Sequence, residues 1–498
     1  MTAAEGRDGA AQFAAFRESH LERLASSLDI GLVALRAFLA SWTPGQFVAP
    51  VWPDDMKDQN VVFALEGERR QGLFLHDRPA AKALVATLAG DRGEGEAGAI
   101  CLVSGERGPV ARLHPAIKNV WGGQSSGGSI VSFNLDAFAS YGHEQGHNAP
   151  ISETAAFKYT TALNIFLAGT TNRLQLGDTS VVFWADAADA ELAATAESVF
   201  GSCFTEIDEA TEAGKVGAIL TRMRDGVIWQ DAVRDIEPGL AAGVRFHVLG
   251  LAPNAARISI RFWLEDDFGA FAEHYRCFVA DMAIDPPPRE GYPPLWRYVN
   301  ETAVLRKREN VQPNLAGEWL RAILDGTGYP LPLLSAMLTR IRADGEINAL
   351  RAATIKAVLV RNFSWGATMA LDQNNREPAY LLGRLFAVLE RFQELALGNV
   401  NASIRDRYYG SASAAPRTVF PLLLRLNLHH KSKAAKGSKG GLANYFDRQL
   451  AEIMDGLGNE FPSSLSLRDQ GKFALGYYHQ FNRRKASEEA ATTEDAAS

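Results

Sequence analysis

Five prolines fall within nine residues at Pro286-Pro287-Pro288-Arg289-Glu290-Gly291-Tyr292-Pro293-Pro294. Proline fixes its own φ and has no backbone N–H to donate, so such a run can be neither helix nor central strand. It predicts a stiff, extended linker over 284–295. The two sides of this linker carry different patterns. Residues 1–283 mix helical and strand-like signals and read as an α+β domain. After the linker the periodicity is helical: a connecting region over 296–368, then an all-α four-helix bundle over 369–483. The polar, acidic tail over 484–498 is expected to be disordered.

Within the first part, residues 10–42 read as helical. Strand-like runs occur at Val61–Leu65, Ile130–Phe133 and Val181–Trp184. A helix from about Ser152 to Leu167, opened by Ser152 as cap, separates the last two. Arg245–Leu249 and Ile258–Trp263 flank the turn-forming Pro253-Asn254, the arrangement of a β-hairpin. No paired Cys spacing exists. Cys101, Cys203 and Cys277 stand far apart, which excludes a CxxC zinc knuckle and suits free thiols in a reducing cytoplasm. No apolar run reaches the roughly 18 residues a membrane span needs, and no basic-then-apolar leader opens the sequence.

In the helical half, Leu382, Leu385, Leu389 and Phe392 form one apolar stripe, and Leu442, Tyr445, Leu450, Ile453 and Leu457 another. Leu467, Gln470, Ala474, Tyr477 and Phe481 make a third, opened by Ser466 with Asp469 three residues on, a capping box. Arg417–His429 supplies the fourth helix, bent near Pro421. Here the charge sign also reverses. Residues 384–448 hold eleven Lys/Arg against four acids, a surplus of seven, which leaves −14 for the rest of a chain whose total is −7. A basic patch on an acidic protein points to a polyanion at one defined place. The densest part, His430, Lys431, Lys433, Lys436 and Lys439, is expected in a mobile loop over 430–441 with Gly437, Gly440 and Gly441. Arg405, Arg407 and Arg425 are further candidates for strand backbone contact.

A second candidate is the glycine-dense turn Lys118-Asn119-Val120-Trp121-Gly122-Gly123-Gln124-Ser125-Ser126-Gly127-Gly128. Glycine lets backbone approach a ligand closely. The Lys118 ammonium, the amides of Asn119 and Gln124 and the hydroxyls of Ser125 and Ser126 are groups that bond phosphates or base edges. Catalytic patterns are missing. Gly437-Ser438-Lys439-Gly440-Gly441 lacks the spacing of a phosphate-cradling GxxxxGK[ST], and neither HExxH nor GxSxG occurs. Adjacent His429 and His430 would point about 100° apart on a helix, which suits phosphate contact better than shared metal ligation. Asp266-Asp267 read as structural or solvated acids in a loop beside Gly269. No metal or other cofactor is expected.

Longer stretches are more specific than these motifs. They are Cys101–Glu106, Ala111–Gly128, Ser132–Asn134, Ser140–Gly142, Gln145-Gly146, Asn148–Glu153 and Gly177–Trp184, then Arg245–Trp263 with its Leu249–Arg257 turn, Tyr380–Glu390 and Leu465–Gln480. Together they resemble the large subunit of the type I-C CRISPR surveillance complex (Cascade), from about residue 12 to residue 481. The chain departs from that family by starting almost at its first helix, where members usually carry a further N-terminal stretch. That stretch helps read the protospacer-adjacent motif (PAM), so the departure bears on how this chain would read one.

The resemblance implies a non-catalytic, RNA- and DNA-binding subunit of a cytoplasmic ribonucleoprotein complex for antiviral defence. Its partners would be the crRNA-bound backbone subunits, the target double-stranded DNA beside the PAM, the displaced strand and a recruited helicase-nuclease, with no membrane. The C-terminal bundle would support nucleic acid strands. It resembles the small subunit, which relatives make as a separate product of the same gene; Met369, before the polar lead-in Asp372–Asn375, is the candidate internal start, and Met337 would cut an apolar helix in half. Two other readings remain from the residues alone: a nuclease with acids scattered through 1–283, and an assembly scaffold without DNA contact.

Overall fold

The computed structural model describes residues 9–53, 56, 61–91, 98–398, 401–436, 440–458 and 460–495. By contact density the chain forms two units, one of residues 1–115 with 131–160 and one of 116–130 with 161–498.

The first unit opens with α1 (Gly9–Arg23) and α2 (Ile30–Ser41), two helices where the periodicity predicts one continuous stretch. The break is set by Asp29, whose carboxylate accepts the N–H groups of Gly31 (2.9 Å) and Leu32 (3.1 Å) as the cap of α2. Arg78 then holds that carboxylate at 2.8 Å. Phe13, Phe38 and Trp42 pack their rings together, with Phe13 and Trp42 buried. Val61–Leu65 is not a strand. Phe63 instead lies against Phe38 at 5.7 Å, so the run packs onto a helix without a ladder partner. Helix α3 (Pro79–Asp91) and a two-residue hairpin, β1 (Ala99–Ile100) with β2 (Arg107–Gly108), follow. Helix α4 (Glu153–Ala168), which belongs to this unit up to Thr160 and to the second from Thr161, forms where its Ser152 cap predicts.

In the second unit four antiparallel strands lie in the order β3 (Arg173–Leu176), β4 (Thr179–Asp186), β5 (Arg245–Asn254), β6 (Arg257–Asp267). Alternation puts Val181, Phe183, Phe246, Val248 and Phe262 on an inner face, in one core with residues of α5 (Ala190–Phe204), α6 (Lys215–Arg224) and α7 (Phe268–Met282). The outer face carries the register rows Arg173, Val182, Leu249, Trp263 and Gln175, Ser180, Leu251, Ile260. Ile130–Phe133 adds no strand. Its neighbour Ser129 makes a single parallel bridge to Arg257 instead. Asp266-Asp267 end β6, and Asp267 caps α7 through Gly269 N–H (2.8 Å) while also accepting from Val244 N–H (2.9 Å), so that carboxylate is structural.

The helices α8 (Leu315–Leu324), α9 (Leu331–Asp344) and α10 (Ala349–Phe363) follow the proline-rich segment, and their apolar residues join the same core as the sheet. Phe278, Trp319 and Tyr329 meet edge to face across the segment. Five helices follow Met369: α11 (Pro378–Leu397), α12 (Ile404–Ala414), α13 (Pro416–Lys436), α14 (Gly440–Leu457) and α15 (Leu467–Asp495). The three stripes and the Ser466–Asp469 capping box lie on α11, α14 and α15, and Pro421 falls inside α13. Helix α12 carries no long apolar stripe to announce it; a second capping box, Ser403 with Asp406, starts it. Helix α15 continues to Asp495, so helical backbone runs through most of the tail expected to be disordered, whose alanines and glutamates are strong helix formers. No helix among the described residues is long and apolar enough to cross a membrane.

Candidate nucleic-acid interface

The glycine-dense turn is a closed loop fastened by its backbone. Ile117 and Gly128 exchange both N–H···O bonds, at 2.8 and 2.9 Å, and pin its two ends. Gly127 has φ 89°, and a Cβ there would lie 2.7 Å from the Ile117 carbonyl oxygen, so only glycine closes the loop without displacement. Asn164, on α4, grips the entry from outside: its Oδ1 accepts Lys118 N–H (2.7 Å) and its Nδ2 donates to Ala116 C=O (3.0 Å). Trp121 N–H donates to Ser180 Oγ (3.0 Å), which donates to Gln175 Oε1 (2.8 Å), attaching the loop to the outer face of the sheet.

Every one of the predicted contact residues here, Lys118, Asn119, Gln124, Ser125 and Ser126, is exposed. Among the described residues none of their side chains has a hydrogen-bond or ion-pair partner. The backbone is spent on holding the loop and the side chains stay free for a ligand.

Beneath the loop lies a pair of cations that sequence reasoning missed. Arg173, half-buried on β3, donates to the carbonyls of Leu167 (2.6 Å) and Asn119 (3.2 Å). The Arg308 guanidinium sits 4.2 Å from the centroid of the exposed Trp121 ring. Burial and the nearby Arg173 charge hold Arg308 below its ordinary pKa. Its Nε is buried without an acceptor, and among the described residues neither arginine has a carboxylate partner. Two close cations with no acid between them form an anion-seeking arrangement. The available signal was the run Arg306-Lys307-Arg308 in the connecting region.

The second predicted cluster is differently built from the expectation. Helix α13 extends to Lys436, so His430, Lys431, Lys433 and Lys436 stand on helical backbone and not in a loop. Ala434, Ala435 and the lysines favour helix, and glycine enters only at Gly437. Lys439 lies outside the described residues. Arg425, His429 and Lys433 are spaced four apart on the exposed side of α13. Lys431 is already paired with Asp447 on α14 at 2.5 Å. His430 is half-buried, and burial with the charges of His429 and Lys433 lowers its pKa. Arg407, on α12, is exposed and without a partner among the described residues.

Arg405 has instead turned into the bundle. It lies 3.6 Å from the Glu390 carboxylate and donates to Tyr477 Oη (3.4 Å), while Tyr477 donates to Glu390 (2.7 Å). Burial raises the Glu390 pKa against the pull of these donors. Arg405 Nε is buried without a hydrogen-bond acceptor, so the network is held by the Glu390 charge, and the inward turn of Arg405 leaves it little reach for a phosphate. No group of three or more His, Cys, Asp or Glu able to hold a metal occurs among the described residues.

The sequence model of the CRISPR-associated protein family Cas_Csd1 matches residues 2–485, nearly the whole chain, and the chain belongs to that family. No curated protein matches it.

Proposed function

We propose that this CRISPR-associated chain is the non-catalytic large subunit of a type I-C crRNA-guided surveillance complex, binding target DNA beside the PAM and supporting opened strands. The observation that carries the reading is the backbone-fastened loop 117–128, with five exposed polar side chains that have no partner among the described residues. They stand above Arg173 and Arg308, which among those residues bond backbone carbonyls and no carboxylate. Cations and helix or loop amides position a phosphate backbone, and amides and hydroxyls reach base edges. In such a complex guide pairing reads the sequence, and the protein reads a short flank and the backbone. A recruited helicase-nuclease would do the cutting. Family membership supports this assignment.

Replacing Lys118 and Gln124 together by alanine should weaken target-duplex binding while the complex still assembles with unchanged mass. Unchanged binding by that double variant overturns the role given to the loop. Purified protein incubated with DNA and Mg²⁺ or Mn²⁺ should leave the DNA intact; metal-dependent cleavage would establish the enzyme reading instead.

The exposed face of α13 offers a second, base-independent contact. Arg425→Ala with Lys433→Ala removes two unpaired cations, and each lost phosphate contact on a single strand reduces the log–log salt slope by about 0.7, so the slope should shrink by about 1.4. An unaltered slope means that this face is merely solvated.

The helices after Met369 are proposed to be made as a small subunit as well. Met369 is exposed, in an irregular segment before α11, whereas Met337 is buried within α9. Intact-mass spectrometry of the complex from the untagged gene should show a species beginning at or near Met369. Its absence, with Met369→Leu leaving stoichiometry unchanged, contradicts the internal start.

A further inference from the structure

The outer face of the sheet holds a second feature beside the loop. Phe166 stacks on Trp184 at 5.5 Å with their planes 12° apart, and Trp184 stacks on His247 at 5.1 Å and 21°. Trp263 closes the group, 5.5 Å from Trp184 and 5.7 Å from His247. The register explains the cluster, because Trp184 pairs with His247 and Trp263 with Leu249, all on the face that the loop also occupies. Phe166, Trp184 and His247 are half-buried. Trp263 is 49% exposed on β6, the edge strand, with Ile260, also half-exposed, beside it on the same face.

From this we infer that Trp263, backed by His247 and Trp184, is a stacking platform for an unpaired base of single-stranded nucleic acid. The inference rests on the nucleic-acid reading of the neighbouring loop and adds a site to it. Trp184 and His247 lie tilted against Trp263, at 56° and 38°, and their contact restricts its rotation, so less side-chain entropy is lost when a base binds. The acid nearest to it in register, Glu265, is engaged by Arg245 and lies 3.6 Å from His247, so its charge is compensated. At the other end of the Trp263 row stands Arg173, held under the Asn119 carbonyl of the loop. Three strand spacings of about 4.8 Å separate the row's ends, roughly 15 Å. Val182 and Leu249, between the row's ends, are buried, so the nucleic-acid strand passes over what covers them, with phosphates on the Lys118–Arg173–Arg308 side and a base on Trp263.

The test uses the purified full chain with a fluorescein-labelled 12-nucleotide oligothymidylate and with a duplex of equal length. Trp263→Ala should weaken the single strand five- to a hundredfold, the range expected for one stacked base. It should leave the salt slope and duplex affinity unchanged, since no phosphate contact is lost. Trp263→Phe should restore most of the affinity, and binding should quench the wild-type tryptophan emission more than that of Trp263→Ala. Single-strand affinity of Trp263→Ala equal to wild type, or an equal loss on duplex, overturns the platform. Lys118→Ala with Arg308→Ala separates the two ideas. If that variant loses affinity and salt slope while Trp263→Ala does not, the platform alone is wrong; if neither variant changes binding, the nucleic-acid reading of this face has failed.

Discussion

Arg351→Met is expected to destabilise the protein by about 3 kcal/mol, the low end of the cost of breaking a buried ion pair, because the buried Glu301 carboxylate loses one of its two charge partners. Arg351 is fully buried on α10. Its guanidinium forms ion pairs with Glu301 (2.7 Å) and Asp344 (2.5 Å) and donates to the Glu346 carbonyl (2.9 Å). Glu301 is itself buried and keeps only the Arg306 pair at 2.8 Å once Arg351 is gone. Methionine fills the volume of the stem and answers none of the charge. Urea unfolding should show the midpoint falling with the slope nearly unchanged. A loss under about 1 kcal/mol would mean that water reaches Glu301 and that the region is looser than its burial shows. Arg306 bridges Glu301 and Glu346 and so holds the segment Val304–Arg308, whose Arg308 lies over Trp121.

Gly383→Ala and Gly476→Ala should each cost about 3 kcal/mol, at or above the usual range for overpacking. These glycines are where α11 and α15 cross. A Cβ on Gly383 would stand 2.0 Å from the Phe473 carbonyl oxygen, and one on Gly476 would stand 2.1 Å from that of Tyr380. Both obstacles are backbone, so relief requires the helices to part. Parting them would disturb the Tyr380–His479 and Arg384–Gln480 hydrogen bonds, made across the same pair of helices at 2.9 and 3.0 Å. Alanine variants as stable as wild type would contradict a backbone-to-backbone crossing. The crossing also bears on the proposed small subunit. It lies wholly after Met369, but Gly471 of α15 faces Leu334, Ile355 and Leu359 of α9 and α10. A product starting at Met369 therefore carries an uncovered apolar strip and should associate through it.

Local chemistry was the legible part of this chain. The hairpin was legible from its two flanking strands, although Pro253 and Asn254 pair with Ile258 and Arg257 in the ladder and the turn itself is Ala255-Ala256. The stripe Leu382, Leu385, Leu389 and Phe392 is buried, whereas Leu467 of the third stripe is exposed. The Ser466–Asp469 box marked its helix, because a cap is decided within a few residues. Glycine density marked the loop 117–128 for the same reason: Gly127 needs its positive φ whatever surrounds it. Features decided by distant partners were not legible. Val61–Leu65 is a short apolar run like a buried strand but found a helix to pack on, and Ile130–Phe133 forms no ladder, only its neighbour Ser129 making one bridge. The lysines after His430 suggested a loop because they cluster near glycines, yet lysine and alanine extend a helix as readily. Arg173 and Arg308 lie far apart in sequence and meet only because β3 and the turn after Glu301 come together at Trp121. Arg405, conversely, is one of the basic residues of the charge-reversed segment and is withdrawn by Glu390 and Tyr477.

The most direct measurement is the affinity of the assembled guide complex for target duplex across a salt series, with wild-type chain and with Lys118→Ala and Arg308→Ala combined. Complex mass and guide content serve as the assembly control. Two phosphate contacts to duplex contribute about 0.9 each to the salt slope, so the account predicts a slope smaller by about 1.8 and an affinity lower by at least about tenfold at moderate salt. Equal slopes and equal affinities in a complex of unchanged composition would contradict it.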